Sequence, residues 1–134
     1  MLRDWRTESV SQYRRAVIDT AQRVRLFSAE VLRVYRGLPR SFEAQHIGKQ
    51  LFRSCTAVGA NMSEAVRSRS NAELVSKLEC ALQELEETAY WLGVLTLAGV
   101  RREDQLSDLC REANELTAIL VASVKTIKAR HLKR

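Results

Sequence analysis

Residues 53–95, RSCTAVGANMSEAVRSRSNAELVSKLECALQELEETAYWLGVL, read as a helix, a tight turn and a second, longer helix. In the first part, small residues (Ser54, Thr56, Ala57, Gly59, Ala60) are interleaved with Val58 and Met62. So flat a helix face lets another backbone approach closely, and such packing would offset the roughly 1 kcal/mol that Gly59 costs against Ala in a helix interior. After Val66 the polar run Arg67-Ser68-Arg69-Ser70 breaks the pattern. Ser70 and Glu73 then form S-x-x-E, a capping box that starts a new helix. Along that helix Leu74, Leu78, Ala81, Leu85, Thr88, Leu92 and Leu95 keep one face apolar, and Gly99 suits a left-handed cap at its end.

The same periodicity extends in both directions. Val10, Val17, Val24, Val31 and Leu38 lie seven apart, with Tyr13, Thr20, Phe27 and Val34 between them, so a helix is expected from Val10, continuous or jointed near Asp19-Thr20. Gly37-Leu38-Pro39 stops it, because proline disfavours helix in the residue before it. Residues 1–9 show no period and are read as a loose arm. Ser41 caps a second helix with Ile47, Leu51, Cys55, Val58, Met62 and Ala65 inward. A fourth starts around Arg102-Glu103-Asp104 and carries Leu106, Leu109, Ala113, Leu116, Leu120, Val124 and Ile127. The expected fold is all-α: helices over about 10–37, 42–67, 71–98 and 102–130, in one domain spanning 1–134. Short loops make neighbours antiparallel, hence an up-down-up-down four-helix bundle.

Composition narrows the function. No apolar run approaches the length of a membrane span and MLRDWRTESV lacks a signal peptide's apolar core, so a cytoplasmic protein is expected, without membrane partners. Cys55, Cys80 and Cys110 are odd in number and form no C-x-x-C pair, which predicts reduced, buried thiols rather than disulfides or zinc. Glu43-x-x-His46 has the spacing of di-iron bundles, but no second copy exists, and a solvated turn explains it better than a metal site. Glu84, Glu86 and Glu87 could pair as an acid and a base, yet no phosphate-binding Gly-rich loop and no Ser/His or Cys/His arrangement accompanies them. A non-enzyme without cofactor or small-molecule substrate is expected.

The chain resembles the four-helix-bundle proteins encoded within intervening sequences of bacterial large-subunit ribosomal RNA genes. The resemblance is carried by Arg53-Ser54, Val58-Gly59-Ala60-Asn61, Glu64-Ala65, Ser76-Lys77-Leu78, Ala81-Leu82, Glu87-Thr88 and Tyr90-Trp91-Leu92, and continues more weakly through Glu112-Ala113-Asn114-Glu115-Leu116 and Val124-Lys125-Thr126. It covers roughly residues 24–130, leaving residues 1–20 as an extension. Cys55 where glycine is usual and Met62-Ser63 depart from the pattern. More distantly, the family is similar to the accessory variability determinant proteins of diversity-generating retroelements, basic pentameric bundles that associate with a reverse transcriptase and its RNA. The resemblance therefore implies a homopentameric ring, with structured RNA or a reverse transcriptase as partner.

Three groups of residues are candidates for function. In an antiparallel pair hinged at Ser68-Arg69, Arg53 falls opposite Glu84 and Glu87, and Lys77 opposite Asn61 and Glu64, giving a partly buried polar layer that fixes register. The same residues could instead bind a ligand. Tyr90, Trp91, Val94 and Leu97, beside a stripe of Val75, Leu82 and Ala89, exceed what one core seam requires. They form either a broad core-facing surface or a subunit interface. Finally, the net charge of +6 is unevenly spread: residues 1–67 hold twelve Lys/Arg and six Asp/Glu, residues 68–116 five and ten, residues 117–134 five and none. The up-down topology gathers both basic segments at one pole: Arg3, Arg6, Arg14, Arg15, Arg67, Arg69, Lys125, Lys128, Arg130, Lys133 and Arg134, with Asp4, Glu8, Glu64 and Glu73. Arg14, Arg15, Arg67, Arg69, Lys125, Lys128, Arg130 and Lys133 are the expected phosphate ligands, holding RNA by charge and shape rather than base readout. The alternatives are a solubilising tail and a protein-only scaffold in which the first helix's arginines meet a neighbour's acidic third helix.

Overall fold

The computed structural model describes the backbone of residues 5–101 and 103–132 and the side chains of 10–101, 104 and 106–131. These residues form four α-helices and no strand: α1 (Trp5–Arg36), α2 (Phe42–Val66), α3 (Asn71–Leu97) and α4 (Glu103–Ile127), which runs on into one wider π turn (Lys128–Leu132). Each end has a local cause. Ser41 accepts a hydrogen bond from the amide of Ala44, and Ser70 from that of Glu73. Gly99, at φ +67°, closes α3 in a Schellman motif: its amide donates to Thr96 O and that of Val100 to Leu95 O. α1 is one unbroken helix that begins at Trp5, so residues 5–9 are helical and not a loose arm.

The heptad forecast of α1 holds in the packing. Val10, Val17, Thr20, Val24, Phe27, Val31, Val34 and Leu38 are all buried, as are all the inward positions named for α3 and α4, while Tyr13 is only partly buried. Along α2 the seam shifts slightly: Ile47 is only partly buried, while Ala44, Gly48 and Ser54 join the interior. Side-chain pairings fix the antiparallel order, since Tyr13 meets His131, Arg23 meets Glu112, and Arg53 meets Glu87. α2 packs most extensively on α3, whereas α1 and α4 leave two recesses between them, of about 370 and 200 Å³, separated by the ion pairs of Arg23 with Glu112 and Glu115.

The close-packed glycine is not Gly59. A Cβ at Gly59 would meet nothing within 4 Å, so no described residue packs against that side of Gly59. At Gly48 a Cβ would lie 2.6 Å from Leu38 Cδ1 and 2.8 Å from Tyr35 Cδ1, and that same Tyr35 ring stacks on Phe52. The end of α1 therefore passes directly over α2 at Gly48, whereas Gly59 lies on a side of α2 turned away from α1, which stays alongside α2 as far as Val66.

Candidate nucleic-acid interface

The start of α1, the α2–α3 turn and the end of α4 do meet at one pole. Arg14 Nη1 donates to the carbonyl of Val66, and Arg14 Nη2 donates to that of Ser68 at 3.3 Å. Tyr13 Oη lies 2.8 Å from His131 Nε2, with the two rings edge to face. Lys128 pairs with Glu79 of α3 at 2.8 Å.

These contacts divide the cations named from the sequence. Arg14 is half-buried and spends its guanidinium on carbonyls; Lys128 is held by an acid. Arg15, its side chain 90% exposed, touches only Asp19, at 3.9 Å. Arg67, Arg69, Lys125 and Arg130 are exposed and make no ion pair among the described residues. Arg67 and Arg69 border an open recess of about 430 Å³ with Glu64, Glu73 and Lys77. Arg67 also borders a second, of about 220 Å³, with Ile18, Gln22, Ser63 and Arg25. Arg25 carries the basic surface down the α1–α2 groove, and the sequence offered only one signal for it: an arginine off the heptad seam. Lys133, like Arg3 and Arg134, lies outside the described residues, as does the side chain of Arg6.

The residues expected in the polar layer sit at the solvent edge of the α2–α3 seam. Arg53 reaches Glu84 at 3.3 Å and Glu87 at 2.7 Å, and Lys77 reaches Glu64 at 2.9 Å. Asn61 does not join them; its amide donates to Ala57 O in its own helix. The Arg53 hydrogen bond, helped by the indole N–H of Trp91 and opposed by burial, holds the Glu87 carboxyl below its ordinary range. Exposed pairs of this kind contribute only about 0–1 kcal/mol each, so their geometry bears on register more than on stability. The buried polar contact is one the sequence did not reveal: Ser54 Oγ and Thr88 Oγ1, 2.8 Å apart between α2 and α3. Asn71, wholly buried at the start of α3, has no side-chain hydrogen bond.

On α3 the core absorbs the flanking stripe: Val75 is buried, and Leu82 and Ala89 pack against the interior. Trp91 does the same while bonding Glu87. Tyr90, at 61% exposure, and Leu97, at 91%, stay in solvent, with half-buried Val94 and Gly93 between them. Nothing stands within 4 Å of a Cβ built on Gly93.

His46 stacks beside Phe42, and no three His, Cys, Asp or Glu side chains among the described residues converge as a metal site. All three cysteines are free, but only Cys55 is buried, which pushes its thiol up to about 11; Cys110 is half-buried and Cys80, off the α3 seam, is exposed. No helix among the described residues is long and apolar enough to cross a membrane.

Fold and surface thus define a basic, all-helical protein with four helices. The chain belongs to the 23S rRNA-intervening sequence protein family, which it matches over residues 16–122. It is similar to a crystal structure of a protein of unknown function from the S23 ribosomal protein family of Bacteroides thetaiotaomicron: 28% identity, TM-score 0.75, covering 81% of this chain and 97% of that one. No curated protein matches.

Proposed function

We propose that this chain is a non-enzymatic, cytoplasmic homo-oligomer, most simply a pentameric ring, that holds structured RNA or a ribonucleoprotein partner such as a reverse transcriptase by charge and shape. The observation that carries this reading is the set of exposed cations at one pole, Arg67, Arg69, Lys125 and Arg130, that form no ion pair among the described residues. Unpaired cations bind phosphates by releasing condensed counterions, and a ring would repeat the cluster in every subunit. The family's link to intervening sequences of 23S rRNA supports RNA as the polyanion. A protein-only scaffold is the second reading, favoured by Arg25 and Arg36 on α1 and Glu86 on α3, all exposed without ion pairs among the described residues.

A gel-shift titration against a structured RNA over a range of salt decides between them. If about four phosphates are neutralised, the log-log salt slope is near −3 to −4. Reversing Arg67, Arg69, Lys125 and Arg130 to Glu should abolish binding and leave the helical spectrum unchanged. No binding by the parent at low salt, or unchanged affinity in the reversed variant, would favour the scaffold.

A further inference from the structure

We infer that Arg14 is a positioning residue, which takes no phosphate itself but fixes the α2–α3 turn so that Arg67 and Arg69 are presented ready-ordered; this rests on the RNA reading above. The end of α2 is where the argument starts. A helix leaves its last carbonyls without partners in its own backbone. Here Glu64 O takes the amide of Arg67 and Ala65 O that of Ser68, while Val66 O and, in the turn, Ser68 O are among the carbonyls that receive no backbone amide of the described residues. The two Arg14 amino groups fill both. A cation at a helix C-terminus also suits the helix dipole. The turn so held is only four residues long, from Arg67 to Ser70, and its far end is pinned by the Ser70 cap on α3. Ser68 is fully buried beneath it, so Arg67 and Arg69 on either side are directed outward, and both are exposed. Arg14 comes from α1, 52 residues away from the carbonyl of Val66. It is the described side chain that ties the turn to another helix by hydrogen bonds at its backbone.

A turn ordered before binding spares the complex the entropy of ordering it afterwards. Removing the strut should therefore cost affinity without removing a phosphate contact. The salt slope separates the two, because it counts neutralised phosphates.

The experiment titrates the full chain and its variants against the same structured RNA at several salt concentrations, well below each variant's melting temperature. Arg14→Gln should lose about tenfold in affinity, the order expected when about one residue of turn backbone must be ordered on binding, and keep the parent slope. Arg67→Gln should instead reduce the slope by about 0.7–0.9, one phosphate's worth. Arg14→Lys keeps the charge but not the two-carbonyl fork, and should recover only part of the loss. A slope reduced in Arg14→Gln, or full recovery in Arg14→Lys, would make Arg14 a phosphate ligand and overturn the inference. So would unchanged affinity with a lowered melting temperature, which would leave Arg14 a stabilising contact alone. Failure of the parent to bind would instead strike at the RNA reading itself.

Discussion

At the scale of single residues, glycine separates contact from open space. Gly48 and Gly59 lie on the same helix, yet only Gly48 has neighbours where a Cβ would go. Gly48→Ala must displace the Tyr35 ring from its stack on Phe52, so the variant should be less stable by about 1 kcal/mol or more, in spite of alanine's helix preference. Gly59→Ala meets no such barrier and should be more stable by up to about 1 kcal/mol. Urea denaturation of the two variants tests the assignment, and a midpoint lowered at Gly59 would show that another chain packs against α2 there. The sequence placed the close approach in the right helix but at the wrong glycine. Both residues interrupt a helical pattern, and only the path of α1 tells them apart.

Among the elements, α3 was the most legible, because its signals are local. Its cap, its apolar face and its closing Gly99 each depend on residues within one or two turns. Ser70→Ala removes an N-cap bond and should lower stability by about 1 kcal/mol, read from thermal melting; a change within error would deny the cap any energetic part. The outer half of α3 was less legible. Trp91 and Tyr90 are adjacent aromatic residues, but Trp91 packs against the core with its indole on Glu87 while Tyr90 projects into solvent. The reason is rotation: successive residues of a helix point about 100° apart, and one of these two directions is covered by the core.

At the scale of the molecule, the remaining apolar surface and the charge distribution argue for assembly. Tyr90, Gly93, Val94 and Leu97 follow the spacing of a helix-packing stripe, and among the described residues Tyr90 and Leu97 stay exposed with Gly93 and Val94 only half-buried. We expect light scattering to give a mass several times the 15.3 kDa of one chain, with five copies as the proposed number. Leu97→Glu should lower that mass and leave the helical spectrum intact. A monomer mass for the parent at tens of micromolar would end the ring proposal. The basic pole was legible as a region for a simple reason: helix order and short loops already dictate which chain segments share an end.

Sequence alone determined the four helices, most of their seams and the caps of α2 and α3, since hydrophobic periodicity and capping are set by residues three, four or seven apart. It also brought Arg53 opposite Glu84 and Glu87, because a short turn fixes the register of two antiparallel helices. Only the tertiary structure decided how equivalent residues divide. Arg14 and Arg15 are consecutive arginines, yet one is turned onto the carbonyls of Val66 and Ser68 and the other into water. Lys125 and Lys128 differ in the same way, because Glu79 lies within reach of Lys128. Such choices depend on which distant backbone or carboxylate happens to lie within about 3 Å of a side chain's end, and nothing in a chain's own local pattern encodes that distance.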